Sequence, residues 1–222
     1  MNFIKFAFIG VISVVLLFLI GSLFISSEFK VERSIVIEAP TEQVFPMVNN
    51  LRNWKKWMVW ARRDPNMTIN YEGPEAGVDA KTSWQSETEG AGEMSITQSE
   101  PPTFVAYSLY FPEFDSRSVT KMKLETVDNG TRVTWTNEGD MGMNPMMKVF
   151  GLMMDGMVGP DFEAGLANMK ELVESMPPAP EPAGMEAAEG EGAAEGEGTA
   201  EGDAAAEATE TQGGSDGQEA SK

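Results

Sequence analysis

The sequence predicts an α+β domain, in which a curved antiparallel sheet is closed by a long C-terminal helix, with one membrane-spanning helix ahead of it. Three observations predict this. There is a long uncharged stretch near the N-terminus, a series of β-branched and aromatic runs separated by turn formers, and a last stretch whose apolar residues recur at helical spacing.

The first element is the run Phe6 to Ile25, FAFIGVISVVLLFLIGSLFI, with no charge and no proline. A helix of that length spans roughly 30 Å, the thickness of a bilayer's hydrocarbon core. A cleaved secretory signal is the rival reading, and a buried soluble helix is a third. A signal's apolar region is shorter, about 7–15 residues, and ends at a small-x-small site, which Ile-Ser-Ser-Glu resembles poorly. The run therefore favours an uncleaved, single-pass anchor in the cell membrane. Lys5 on one side faces Lys30 and Arg33 on the other, so flanking charge does not orient it strongly. The short N-terminal tail and long C-terminal region suggest a signal-anchor with the bulk of the chain exported.

Val31 to Glu38 is β-branched and partly alternating, and it reads as the first strand. Thr41 is placed to cap a helix bearing Val44, Phe45 and Val48 on one face, with Pro46 near its start. Asn49-Asn50 and Asn53 break this stretch into two short helices. Strands are expected at 67–72, 80–86, 93–99, 104–111, 118–127 and 131–138, separated by Gly, Pro, Asp and Asn clusters. Asn129-Gly130 suits a tight hairpin needing positive φ. Tight connections of this kind make a meandering antiparallel sheet.

The last element begins at Asn144, a cap, with Pro145 in the first helical position, where its missing N–H costs nothing. Gly156, Gly159 and Pro160 are expected to break it. A second stretch from Asp161 carries Phe162, Leu166, Met169 and Val173 on one face. That stripe must be buried against the sheet, and short helices propping the far edge would let sheet and helix enclose a cavity. Residues 1–29 thus form tail and anchor, 30–176 a single domain, and 177–222 an Ala/Glu/Gly-rich tail expected not to fold. The tail holds more than half of the chain's net charge of −19 and has almost no large apolar side chain. It reads as a solvated spacer or, alternatively, as a partner- or cation-binding tail.

Composition removes whole classes of chemistry. The 222 residues include no Cys and no His, so disulfides, thiolate nucleophiles, Ser-His-Asp relays and zinc sites with nitrogen or sulfur ligands are excluded. The anionic charge disfavours nucleic acid as a partner. No Gly-rich phosphate loop, carboxylate metal loop or nucleophile elbow is present, and no catalytic residue, cofactor or metal is expected.

Several phrases then point to a family: RSIVIEAPTEQVF at 33–45, NWKKWMVWARRDP at 53–65, YEGPEAGVDAKTSW at 71–84, GTRVTW at 130–135 and MVGPDFEAGLANMK at 157–170. Together they resemble the helix-grip superfamily that includes START lipid-transfer domains, Bet v 1-like proteins and bacterial polyketide cyclase/dehydrase-like proteins, and within it a membrane-anchored bacterial subgroup. The resemblance covers nearly all of 30–176. It implies a β-α-α-β6-α order in which the sheet grips a long kinked helix. It implies no particular activity, because the superfamily mixes carriers, enzymes and proteins without an assigned role.

The candidate site residues come from the chain's own pattern. Trp54, Trp57 and Trp60 recur at helical spacing, either as core or at a cavity mouth. Trp84 and Tyr107 would offer an indole N–H and a phenol O–H as polar handles in a greasy pocket. Seven methionines crowd the start of the last helix, at 141, 143, 146, 147, 153, 154 and 157, either filling irregular core space or forming a malleable wall. The expected lining is Trp57, Trp60, Trp84, Tyr107, Phe150, Met153, Met154, Met157 and Phe162. Asp64, Asp155, Asp161 and Glu163 are conceivable general bases. The plainer readings are a loop turn for Asp64 and helix-start electrostatics for Asp161 and Glu163. Arg62-Arg63 is either a solvated loop pair or a contact for an anionic lipid headgroup.

Three functions remain open. The first is membrane-tethered binding of a hydrophobic small molecule or lipid, the second a cyclase, dehydratase or hydrolase acting on an aromatic or polyketide-like substrate, and the third a non-catalytic module for an unknown protein partner.

Overall fold

A computed structural model describes residues 2–177; the acidic tail expected to be unfolded lies, beyond Pro177, outside the described residues. Helix α1, Asn2–Ser22, is long and apolar enough to cross a membrane. It ends three residues earlier than the apolar run. Ser22 Oγ bonds back to Leu19 O, and the N–H groups of Leu23 and Phe24 reach only to Ile20 and Gly21, which tightens and closes the last turn.

Seven strands form one antiparallel sheet: β1 (Glu28–Ile37), β2 (Thr68–Glu72), β3 (Lys81–Ser86), β4 (Gly90–Glu100), β5 (Phe104–Phe111), β6 (Ser116–Val127) and β7 (Gly130–Asp140). Their order is β1-β7-β6-β5-β4-β3-β2, so the meander from β2 to β7 is completed when β7 returns to pair with the first strand. β1 starts earlier than its β-branched core predicts because Glu28 to Lys30 find partners in Asp140 to Glu138. A bulge between Ile96 and Gln98 shifts the β4–β5 register, a device that bends and twists a strand and so helps to curve the sheet. In the β6–β7 hairpin, Asp128 and Asn129 form the turn and only Gly130 takes positive φ, so the left-handed residue is the first of β7.

Between β1 and β2 lie the two expected short helices, α2 (Thr41–Asn49) and α3 (Leu51–Trp57), and a further short helix, α4 (Val59–Arg63). Pro40, not Thr41, is the residue before the first turn of α2, and its carbonyl accepts from Gln43 and Val44. The Thr41 hydroxyl turns to the Glu42 carboxylate and caps nothing. Asn50 divides α2 from α3 by accepting from the Arg52 N–H.

The C-terminal helix α5, Pro145–Glu174, is one continuous helix, where a break was expected at Gly156–Pro160. Pro160 supplies no N–H to Gly156, but Arg33 of β1 staples the two sides of that gap. It donates Nη1 and Nη2 to Asp155 and Nε to Glu163. Gly159 makes the staple possible, since a Cβ there would stand 2.0 Å from Arg33 Nη2. Lys170 donates to Val36 O, and Glu174 accepts the Glu38 N–H, which fastens the rest of α5 along β1.

The core lies where α3 and the C-terminal half of α5 meet the inner face of the sheet. Trp54 and Trp57 stand 4.8 Å apart by ring centroid; Trp57 meets Trp135 edge-on at 5.4 Å, and Phe162 stacks on Trp135 at 3.7 Å. Leu166, Met169 and Val173 continue this buried stripe, as their spacing predicts. Each such side chain contributes roughly 1.5–3 kcal/mol by leaving water.

Tyr107, fully buried, donates its hydroxyl to Val48 O at 2.7 Å, and that carbonyl also accepts from Trp54 Nε1. Because Trp54 keeps the carbonyl paired, Tyr107→Phe is expected to cost only about 1 kcal/mol in equilibrium urea unfolding.

Candidate ligand cavity

The inner face of the sheet is filled at one end and open at the other. Over the C-terminal half of α5 it is packed solid. Under the N-terminal half, from Met146 to Val158, lies a cavity of about 790 Å³. The sheet forms its floor through Ile69, Thr82, Trp84, Met94, Leu109 and Thr120, and α3 and α4 close one side with Trp54 and Trp60. Phe114, in the turn between β5 and β6, joins Met146, Phe150, Met153 and Met157 in a rim that is at once cavity lining and exposed surface.

The expected lining residues divide accordingly. Trp60, Trp84, Phe150, Met153, Met154 and Met157 stand on the cavity wall. Trp57, Tyr107 and Phe162 do not; they lie in the packed aromatic core. Trp57 donates its indole N–H to Met47 O, and Tyr107 points its hydroxyl at Val48 O, so both are anchored to α2 and turned away from the opening. Burial also pushes the Tyr107 phenol well above its ordinary pKa, so it stays a neutral O–H, and that O–H is already given to Val48 O. Trp84 has its indole ring pressed over Gly92 of β4, where a Cβ would stand 2.2 Å from the ring. Of the seven methionines, six line the cavity; Met143 is exposed ahead of α5.

Pattern reasoning over aromatic and sulfur side chains misses the polar part of the floor. Thr120 on β6 faces Asn137 on β7 in register, and its hydroxyl donates to Asn137 Oδ1 at 3.4 Å; Ser118 lies two residues along β6 on the same face. The signal was present in the alternation of β6, where Ser118 and Thr120 occupy the face that Met122 and Leu124 continue.

None of the conceivable bases is free. Asp161 lies inside α5, since the helix does not restart at Pro160, and accepts from Trp60 Nε1 at 2.8 Å and from Arg63. Glu163 and Asp155 hold Arg33. Asp64 accepts the Asn66 N–H and the Ser86 hydroxyl, forming a loop turn. Arg63 is paired with Asp161 and Glu89, and Arg62 donates to Asn168 and to Lys56 O, so both arginines tie α4 and its flanks to α5 and to the β3–β4 turn. The charged residues of the lining are Lys55, which is exposed, and Glu89, which Arg63 engages. Tyr71 lines the far side on β2, with its phenol raised by burial and Arg52 over its ring.

At the rim, α5 meets the end of α1, where the buried Lys148 reaches Ser22 O at 3.4 Å with its ammonium. The last carbonyls of a helix are its negative end, so a cation is favoured there.

A family model described as polyketide cyclase/dehydrase and lipid transport matches residues 28–174. No curated protein matches the chain. Among solved structures, a protein from Rhodobacter sphaeroides aligns at 14% identity and TM-score 0.51, covering 67% of this chain and 94% of its own. An uncharacterized protein from Rhizobium leguminosarum aligns at 16% identity and TM-score 0.50, covering 67% of this chain and 96% of its own. At such identities the likeness is one of fold.

Two of the carboxylates that fasten α5 to β1, Asp155 and Glu174, couple its hold to pH. Hydrogen bonds from Arg33 hold the Asp155 carboxyl below its ordinary value, and the Glu38 N–H and Lys170 do the same for Glu174. Folded values below unfolded ones stabilise the fold above the ordinary carboxylate range, and that stability is lost as pH falls through the folded values. The melting temperature is expected to fall on acidification from about pH 5 to about pH 3, and less steeply in Arg33→Met, where the Asp155 part of the linkage is gone.

Proposed function

From the premise that the chain belongs to the polyketide cyclase/dehydrase and lipid transport family, we propose that it binds a hydrophobic small molecule or lipid in its cavity, and that α1 tethers it to a membrane. In this proposal residues 1–29 are tail and anchor, 30–176 the binding unit and 177–222 a solvated tail. The observation that carries the reading is the cavity of about 790 Å³, large enough for a lipid chain or a small polycyclic molecule and walled by thioethers and aromatic rings. Burying roughly 300 Å² of apolar ligand surface there would yield about 7 kcal/mol before the cost of association, with no catalytic group required. Unbranched, polarizable methionines on the covering helix suit a wall that adapts to its contents.

The tether and the mouth belong to the same proposal. Lys148 joins α5 to the last turn of α1, so the rim formed by Met146, Phe150, Met153 and Met157 lies on the half of α5 that is fastened to the anchor. Exposed apolar side chains beside a membrane helix favour contact with lipid, and a ligand could then pass between bilayer and cavity without crossing water.

The full-length chain, purified in detergent and analysed by solvent extraction and mass spectrometry, is expected to carry a stoichiometric hydrophobic molecule. Leu109→Trp, which pushes an indole into the cavity from β5, is expected to lower its occupancy at least about tenfold while the fold persists. A wild-type chain that is reproducibly empty and takes up no added lipid would sink the proposal.

A further inference from the structure

We infer that the cavity selects a ligand bearing one uncharged hydrogen-bonding group, a hydroxyl or a carbonyl, and that this group docks on Ser118, Thr120 and Asn137. The inference rests on the proposed binding function and specifies its ligand class. On the paired inner faces of β6 and β7, the cross-strand neighbours run Leu124 with Val133, Met122 with Trp135, Thr120 with Asn137, and Ser118 with Gly139. The first two pairs are hydrophobic and belong to the packed end, where the buried Trp135 indole N–H also has no partner among the described residues. The last two open the cavity floor and bring three uncharged polar side chains together on a wall that is otherwise mostly apolar.

These side chains are buried and incompletely satisfied. Ser118, Thr120 and Asn137 are 8%, 3% and 6% exposed, and Ser118 Oγ has no hydrogen-bond partner among the described residues. The side-chain bond made by Thr120 and Asn137 is the one between them, long at 3.4 Å. Whichever way the Asn137 amide is turned, one end meets Thr120 and the other is left unpaired. Buried polar groups are almost always paired, so an unpaired set lining a cavity is a docking point for a polar atom of its contents. The rotatable Ser118 hydroxyl donates or accepts, and the free end of Asn137 adds a second bond.

The cluster discriminates against ions. No charged side chain lies among residues 118, 120, 122, 135, 137 and 139. Lys55 and Glu89, the charged residues of the lining, belong to α3 and the β3–β4 turn, and Glu89 is engaged by Arg63. An ionised headgroup brought to Ser118 and Asn137 would shed its water without gaining a counter-ion. A neutral hydroxyl or carbonyl loses far less and completes the cluster. Each such bond changes affinity about two- to tenfold.

The test uses the full-length chain in phosphatidylcholine nanodiscs, titrated with decane, 1-decanol, 2-decanone and decanoate. Binding is read from the emission of Trp54, Trp60 and Trp84 on the cavity wall, with free concentrations corrected using empty discs. The wild type is expected to bind 1-decanol and 2-decanone about tenfold more tightly than decane, and more tightly than decanoate. Asn137→Leu should bring all three neutral ligands within about twofold of one another while decane binding is kept. Ser118→Ala, which removes only an unpaired atom and so spares the fold, should lower the preference two- to threefold, and Tyr71→Phe should leave it unchanged. Decane binding without discrimination, a preference that survives Asn137→Leu and Ser118→Ala, a preference lost in Tyr71→Phe, or tightest binding of decanoate would each overturn this inference alone. Failure of every ligand, decane included, would overturn the binding function on which it rests.

Discussion

The structure depends on an aromatic wedge set off-centre. Trp54 and Trp57 from α3, Tyr107 from β5, Trp135 from β7 and Phe162 from α5 meet at one end of the concave sheet face and fill it. A curved sheet and a helix laid across it enclose more space than one layer of side chains occupies, and packing to interior density at one end leaves the surplus at the other. The cavity is therefore a consequence of where the large rings were placed. Their hydrogen bonds hold them there, because Trp54, Trp57 and Tyr107 all donate to carbonyls of α2; Trp57 and Tyr107 are thereby kept out of the cavity, and Trp54 forms the boundary between core and cavity.

Helix α5 serves both ends. Its C-terminal half contributes Phe162, Leu166, Met169 and Val173 to the core, and its N-terminal half covers the cavity with side chains that remain partly exposed. A helix held only by its C-terminal half would leave that cover unsupported. Arg33 answers this by spanning Pro160, with Asp155 on one side and Glu163 on the other, and Lys148 adds a contact to the end of α1. Asp155, Asp161 and Glu163 are thus occupied in fastening α5 to β1 and α4.

Much of the architecture was legible in residue order. Alternation and turn formers located every strand to within a few residues, and the asparagines at 49 and 50 divided α2 from α3 as expected. The course of α5 departs from expectation for one reason. Gly156, Gly159 and Pro160 are local helix breakers, and a reading of local preference ends the helix there; α5 nevertheless runs through, with its apolar stripe buried against the sheet beyond the gap and Arg33 paired across it. Asp161 and Glu163 then became interior helix residues, and their roles changed from helix-start charges to partners of Arg63, Trp60 and Arg33.

Periodicity and composition established an α+β chain with an apolar N-terminal helix, one face of each strand turned inward, and no Cys or His for the chemistry those residues perform. They could do so because period, charge and turn residues are properties of neighbours in sequence. Which inward side chains pack and which line empty space is a property of neighbours across the fold. Trp57 and Trp60 are three residues apart, yet the first is sealed in the core and the second stands on the cavity wall. Ser118 and Asn137, nineteen positions apart, share the cavity floor through the β6–β7 register. That choice was made only when β7 paired with β6 and α5 closed over them, since volume is left over only once the large rings have taken their places.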